Sequence, residues 1–213
     1  MKLKRIRIEE FKSIKNLELP IEEVNLLIGG NNSGKSSVLQ AIHFAITCLR
    51  SANQYGKSSS QPATTLGVDQ FSFLPTTEIM KIRHGGMMTQ DSGPSFTFFF
   101  DDAQGDPKQF KLQLKRGKNA NVALKYTSNT AFFRQASNSQ KPYSFYVPGL
   151  AGLSLLEERR ANAVVTSGIA QGDSNLYLRN LLLRISDDSE KFKRLHSLLS
   201  IIFPKTAIDT QFD

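Results

Sequence analysis

The stretch Gly29–Ser36, GGNNSGKS, decides the fold of this 213-residue chain. It matches the pattern G-x-x-x-x-G-K-[ST] at every required position, and this pattern is typical of a P-loop. Glycines at both ends let the backbone curl so that successive N–H groups point inward around an anion. A helix that begins at Gly34 adds free N–H groups and the positive end of its dipole. The stretch therefore predicts a phosphate-binding site at the start of a helix.

The residues on either side of the loop have the pattern that such a site requires. Val24 to Ile28 is a short apolar run, which predicts a buried strand directly before the loop. Further upstream, the alternation of Ile6 and Ile8 with charged residues predicts a strand, and Leu17–Ile21 predicts a second one. After the loop, apolar residues recur at helical spacing, at Val38, Ala41, Ile42, Ala45, Ile46 and Leu49. The order strand, loop, helix is the context in which the motif binds phosphate.

The last two motif residues carry specific chemistry. Lys35 is expected to reach the β- and γ-phosphates of a nucleotide, and the Ser36 hydroxyl to ligate Mg²⁺. The predicted ligands are therefore the phosphates of a nucleotide and Mg²⁺, with Ser36 as the metal-binding residue.

Two longer segments carry a resemblance to a known family. KRIRIEEFKSIKNLELPI (4–21) and NLLIGGNNSGKSSVLQAI (25–42) resemble the N-terminal half of the ABC-type ATPase heads of SMC, RecF and OLD-type proteins. The resemblance is close over residues 3–46. More loosely, the segments 143–160 and 170–185 resemble a subgroup of bacterial AAA-labelled OLD-like ATPases.

This resemblance implies further site residues. Phe11, Lys12 and Ser13 would lie beside the nucleotide, although Lys12 is equally well interpreted as a solvated lysine at a strand end. Residues within the loop would shape it or contact the α-phosphate. The candidate nucleotide-binding residues are Lys12, Ser13, Gly29, Gly30, Asn31, Asn32, Ser33, Gly34, Lys35, Ser36 and Ser37.

The resemblance also implies a fold and a function. We expect an α/β P-loop NTPase fold, the N-terminal lobe of an ABC-type head, with a mixed sheet, antiparallel β-hairpins and C-terminal helices. Such heads couple Mg-ATP binding and hydrolysis to DNA repair, DNA maintenance or anti-phage defence. The implied partners are a second head in a homodimer or larger assembly, DNA, and a nuclease domain or subunit.

Other parts of such a head cannot be assigned in the sequence. The predicted strand Tyr143–Val147 runs into Pro148-Gly149 rather than into a Q-loop glutamine, which leaves Glu157, Glu158 and Gln171 as open candidates. Phe98–Asp102 resembles a Walker B strand, but the turn and alternating strand that follow favour a hairpin. Ser167–Gln171 is one residue too long for a signature motif. We therefore expect the catalytic base to lie outside these residues, and this chain to bind nucleotide with little turnover.

The domain organisation is predicted as a single lobe, 1–213, that is incomplete. A polar loop is expected at 51–67, a β-rich subregion at 96–147 and a helical subregion at 154–203. In the helical part, Glu157–Ala163, Leu176–Ile185 and Glu190–Phe203 are predicted helical segments, the last with Ser189 as N-cap. The final residues, 207–213, look like the start of another strand, which suggests a fragment.

Basic residues cluster in the middle of the chain, at Lys108, Lys111, Lys115, Arg116, Lys118 and Lys125. A basic strand face would suit a nucleic-acid backbone, but an edge strand protected by lysines is the favoured interpretation. Arg179 and Arg184 are interpreted as packing or surface-pairing residues rather than phosphate sensors.

Composition limits the remaining classes. The net charge of +8 is compatible with nucleic-acid binding without requiring it. One cysteine, no signal sequence and no long apolar run predict a cytoplasmic protein without membrane partners. A self-contained P-loop kinase or GTPase, and a non-enzymatic module that uses the loop as a switch, stay open as alternatives.

Overall fold

A computed structural model describes residues 2–56, 63–101, 105–127, 130–147, 157–204, 207–208 and 210. The chain divides into two compact units, 1–144 and 145–213. The first contains the strands β1 (Lys2–Phe11), β2 (Ile14–Pro20), β3 (Ala63–Leu66), β4 (Ser95–Asp101), β5 (Pro107–Arg116) and β6 (Val122–Tyr126), and the helices α1 (Lys35–Tyr55) and α2 (Thr130–Ala136). The second contains the helices α3 (Asn162–Gln171), α4 (Leu178–Ser186) and α5 (Ser189–Ile202). Among the described helices, none combines the length and hydropathy that a bilayer span requires.

One six-stranded sheet, in the order β2-β1-β4-β5-β6-β3, forms the base of the first unit. Alternate side chains of a strand face opposite sides, so apolar residues of neighbouring strands meet on one face. Ile6 lies opposite Phe98, which lies opposite Phe110, and all three are fully buried. The α/β class with antiparallel hairpins is confirmed. All ladders between the described strands are antiparallel, where we expected a mixed sheet.

Helix α1 packs on the buried side of the unit, as its apolar spacing predicts. Val38, Ala41, Ala45 and Leu49 are buried. The ring of Phe44 lies 6.1–6.4 Å, between centroids, from the rings of Phe11, Phe71 and Phe96. This aromatic cluster fixes the helix whose N-terminus follows the glycine-rich loop.

The segment before the loop differs from the prediction. Val24–Ile28 was expected to be a buried strand, yet it pairs with no described strand, and Val24, Leu26 and Ile28 are 80–86% exposed. The three side chains alternate along the chain, which is the pattern of a strand. A buried strand needs neighbours on both edges and a covered face, and the described residues supply neither.

We expect Leu26→Ser to leave the stability of this chain almost unchanged. The side chain is 80% exposed, so its loss removes little buried apolar surface, and the free energy of unfolding should change by less than about 0.5 kcal/mol. The matched control Leu112→Ala, at a fully buried leucine of β5, should cost about 2–5 kcal/mol. Urea denaturation of both variants measures the difference. A cost above about 1 kcal/mol for Leu26→Ser would show that this segment is buried in solution.

Two further segments of the first unit depart from the sequence-based expectation. The polar stretch 51–67 is not one loop: residues 51–55 complete α1, with Ser51 and Ala52 buried, and residues 63–66 form β3. Residues 57–62 lie outside the described residues. Tyr143–Val147 is not a strand either, and Tyr143 instead packs its ring on Phe132. Pro148-Gly149 is not among the described residues.

The second unit is helical, as predicted, with shifted boundaries. Residues 157–161 are irregular rather than helical, and α3 begins at Asn162. The predicted helix Leu176–Ile185 starts as a 3₁₀ turn and continues as α4. The N-cap of α5 is Asp188, whose side chain accepts a hydrogen bond from Lys191 N, and not Ser189. Residues 207, 208 and 210 form no strand, and the rest of 207–213 lies outside the described residues.

Candidate functional site

The glycine-rich loop turns sharply just before α1. Asn32 and Gly34 have positive φ values of 62° and 92°. The value at Gly34 requires glycine, because a Cβ there would be strained and would lie 3.1 Å from Ser13 Oγ. The first helical hydrogen bond follows at once, from Val38 N to Gly34 O at 3.0 Å. The loop therefore delivers the chain directly into the helix.

Lys35 folds back over the loop that precedes it. Its Nζ donates hydrogen bonds to Gly29 O at 2.7 Å, Gly30 O at 2.6 Å and Ser33 Oγ at 3.3 Å. The ammonium thus lies inside the curl formed by residues 29–33. This is the position from which it could bind an anion held by the loop.

The N-terminus of α1 is arranged to accept negative charge. No side chain caps it, and its first turn carries no acidic residue. Because Val38 N makes the first intrahelical bond, the preceding N–H groups of the 21-residue helix have no helical acceptor. Those N–H groups and the helix dipole favour an anion at this end.

Ser36 meets the requirement for a metal ligand beside a bound phosphate. Its side chain is exposed and forms no hydrogen bond with another described residue. Magnesium keeps most of its oxygen ligands from water and substrate phosphates, so one protein hydroxyl is enough to fit it here. No group of three or more His, Cys, Asp or Glu among the described residues could hold a metal instead.

The β1–β2 turn lies against the first turns of α1. Ser13 Oγ donates to Ser37 Oγ at 3.1 Å. Lys12 Nζ donates to Gln40 Oε1 at 2.8 Å and to Pro75 O at 3.0 Å. The structure therefore brings Ser13 to Ser37 and Lys12 to Gln40, and nucleotide binding by Lys12 and Ser13 stays a prediction.

Lys12 is not a solvated lysine at a strand end. Partial burial lowers the pKa of its ammonium, and its backbone has a positive φ of 49°. His84 Nδ1 also hydrogen-bonds to Lys12 O at 2.9 Å. The partners Gln40 and Pro75 carried no signal in the sequence beyond a polar position on α1 and a proline. Lys12 ties the turn to α1 and to the segment around residue 75.

The two motif-like segments are ordinary structural elements. Of the segment Phe98–Asp102, residues 98–101 belong to β4, which forms the predicted hairpin with β5, and Asp102 lies outside the described residues. Asp101 pairs with Lys4 at 3.2 Å. Ser167–Gln171 lies within α3, where a side chain at Gly168 would collide with the ring of Tyr177. Neither segment has the geometry of a Walker B strand or a signature loop.

The three Q-loop candidates lie in or beside ordinary structural elements of the second unit. Glu157 accepts hydrogen bonds from Arg179 N and Asn180 N at 2.8 Å each, so it caps the start of α4. Glu158 forms an exposed ion pair with Arg160 at 2.7 Å. Gln171 is an exposed residue at the end of α3. Their proposed part in hydrolysis stays a prediction.

The basic strand β5 is not an edge strand. It lies between β4 and β6, so the edge-protection interpretation of its lysines is wrong. On the open face of the sheet, Lys111 lies 3.7 Å from Glu9, while Arg5 lies over the ring of Phe99 at 4.1 Å. This face is a cationic surface partly balanced by carboxylates.

Comparison with known proteins gives a family match that lies within the first unit. The family described as an AAA ATPase domain matches residues 1–139. The DNA replication and repair protein RecF of Chlorobium limicola is 49% identical over 45 residues, and that of Shewanella denitrificans is 53% identical over 45 residues. Each alignment covers 21% of this chain and spans 12% of the length of the RecF protein. The resemblance to the N-terminal part of RecF-type ATPase heads is confirmed, and the looser resemblance of the segments 143–160 and 170–185 to OLD-like ATPases stays a prediction.

Among solved structures, one similar chain comes from work on ATP-driven dimerization and DNA stimulated activation of SMC ATPases. It aligns with a TM-score of 0.40 and 13% identity, over 64% of this chain and 80% of that chain.

Proposed function

Because this chain belongs to the AAA ATPase domain family, we propose that its loop at Gly29–Ser37 binds ATP. The observation that carries the proposal is the position of Lys35, whose ammonium lies within the curl of the loop and bonds two of its carbonyl oxygens. The positive φ at Gly34 and the uncapped start of α1 place N–H groups beside it. Together these groups form a cradle for the β- and γ-phosphates.

Binding is then an exchange of oxygen partners. Lys35 leaves the carbonyls of Gly29 and Gly30 for phosphate oxygens, which bear full charge and form stronger hydrogen bonds. Gly29 and Gly30 are exposed, so their freed carbonyl groups accept hydrogen bonds from water instead. Ser13 and Ser37, joined at 3.1 Å, are placed to adjust the first turn of α1 as the nucleotide enters.

Magnesium fits this site through Ser36 and the phosphate oxygens. When bound, the ion neutralises charge that develops on the transferred phosphoryl group. Within this chain, Ser36 would hold the metal, Lys35 would hold the phosphates, and the loop N–H groups would orient them.

Calorimetric titration with ATP tests both the site and its metal. We expect saturable ATP binding that is tighter with Mg²⁺ than with EDTA, and we expect Ser36→Ala to remove this dependence on Mg²⁺ because the hydroxyl ligand is lost. The control Ser197→Ala removes an exposed serine of α5 and should keep the dependence. The absence of ATP binding in the unaltered chain would refute the proposed function. Preference for GTP would favour a GTPase.

We infer that hydrolysis needs a second lobe that carries a signature motif and a Walker B strand. The exposed alternating residues Val24, Leu26 and Ile28 support this inference, because they have the pattern of a strand that is not yet paired with neighbouring strands. The ATP-bound heads would then form a homodimer or a larger assembly. Alone, this chain would bind ATP and turn it over slowly.

We further propose that the assembled protein acts on DNA, in repair, maintenance or anti-phage defence, with a nuclease domain or subunit. The relatives that match over 45 residues are DNA replication and repair proteins. The cationic open face of the sheet, with Lys111, Lys115 and Lys125 on one side of two adjacent strands, suits contact with phosphates of a DNA backbone.

A further inference from the structure

The second unit contains a cavity of about 340 Å³ lined by three arginines. Arg159 and Arg160 lie in the irregular segment before α3, and Arg184 lies in the last turn of α4. Asp187 is the acidic residue of the lining. The side chains around the cavity therefore carry three positive charges and one negative charge.

A buried asparagine holds the irregular segment in place. Asn180 is 2% exposed, and its Oδ1 accepts a hydrogen bond from Arg160 N at 2.8 Å. Its Nδ2 donates to Glu158 O at 2.9 Å and to Glu157 Oε1 at 2.7 Å. Every polar atom of this amide group has a partner, so the backbone that carries the two arginines is fixed without regular secondary structure.

The guanidinium groups differ in how far they are already engaged. Arg160 pairs with Glu158 at 2.7 Å, but both side chains are more than half exposed, so that ion pair is weak. Arg184 Nη1 donates to Thr166 Oγ1 at 3.0 Å. The other N–H groups of this guanidinium form no hydrogen bond with a described residue. Arg159 forms no hydrogen bond or ion pair with any described residue. Positive charge in this cavity therefore exceeds what the described residues neutralise.

We propose that the cavity binds a phosphate group, supplied by a nucleotide or by a nucleic-acid backbone. A guanidinium presents paired N–H donors that match phosphate oxygens two at a time. A carboxylate has two oxygens and is satisfied by one arginine, whereas a phosphate presents more oxygens to several arginines at once. The fixed segment 157–161 places Arg159 and Arg160 together before any ligand arrives, which lowers the cost of binding.

This site is separate in sequence from the glycine-rich loop, which belongs to the first unit. It does not depend on the proposed ATP binding, and the two can be removed independently. Lys35→Ala removes the cation of the loop and leaves the cavity intact, so phosphate binding in that variant is assigned to the second unit where it perturbs residues that line the cavity.

The test is a titration of inorganic pyrophosphate into the full chain carrying Lys35→Ala, followed by the backbone amide resonances of Ala161 and Asn162, which line the cavity. We expect saturable shifts of these resonances. Adding Arg159→Gln and Arg184→Gln together should weaken binding by about tenfold or more, because two of the three charged donors are lost. The control Arg194→Gln removes an exposed arginine of α5 and should leave binding unchanged. Equal thermal unfolding of the three proteins excludes a folding defect.

Competition identifies the source of the phosphate. Displacement of pyrophosphate by a short single-stranded oligonucleotide supports a nucleic-acid backbone, and displacement by ATP alone supports a nucleotide. Shifts that do not saturate, equal affinity in the double arginine variant, or displacement by neither competitor would mean an adventitious anion only and would overturn the proposal.

Discussion

ATP binding by the Lys35→Ala variant is expected to be weaker by about a hundredfold or more. Two hydrogen bonds from the ammonium to phosphate oxygens contribute about 1.5–3 kcal/mol each, and 1.4 kcal/mol corresponds to a factor of ten in affinity. The loss should appear in binding rather than in folding, because Lys35 contacts exposed residues of its own loop. Calorimetry with ATP and urea denaturation, run on the same protein, separate the two effects.

The matched control for this variant is Lys115→Ala. Lys115 lies on β5, far along the chain from the loop. Its substitution by alanine removes the same charge from the open face of the sheet. We expect its ATP affinity to stay within about twofold of the unaltered chain, since screened surface charges contribute little to a remote site. Equal loss in the two variants would mean that net charge, and not the position of Lys35, governs binding.

The Phe44→Ala variant is expected to lose about 3–5 kcal/mol of unfolding free energy. Phe44 is fully buried in α1 and lies against the rings of Phe11, Phe71 and Phe96, so its truncation leaves a cavity between the helix and the sheet. Urea denaturation measures the cost.

Leu39→Ala is the control on the same helix. Leu39 is 48% exposed, so its truncation should cost about 1 kcal/mol or less. Similar costs at the two positions would contradict the orientation of α1. The comparison matters for the site, because the face of α1 that packs on the sheet determines which residues of its first turn are exposed.

Local patterns in the sequence predict local structure well in this chain. The spacing of Val38, Ala41, Ala45 and Leu49 identifies both α1 and its buried face, because one helix face packs as a unit. The turn after Asp101 and the alternation in β5 identify a hairpin, since both signals depend on residues close together in the chain. The glycine-rich loop is predicted for the same reason, since its motif depends only on consecutive residues.

Features that depend on distant partners were missed. The apolar run Val24–Ile28 indicates burial but not which strands would cover it, and the described residues include none. The interior place of β5 depends on pairing with β6 and β4, which its own sequence does not specify. Gln40 meets Lys12 across 28 positions, and Asn180 meets Arg160 across 20, so spacing alone revealed neither contact.

The carbonyl oxygens of Gly29 and Gly30 compete with any ligand of the loop for the Lys35 ammonium. A ligand must offer oxygens that attract the ammonium more strongly than two peptide carbonyls do, or the loop stays closed on itself. If the loop binds nucleotide as proposed, neutral molecules of nucleoside shape would not meet this threshold, whereas a polyphosphate chain would. The backbone of the loop would then select for charge before the base or the sugar of any nucleotide is recognised.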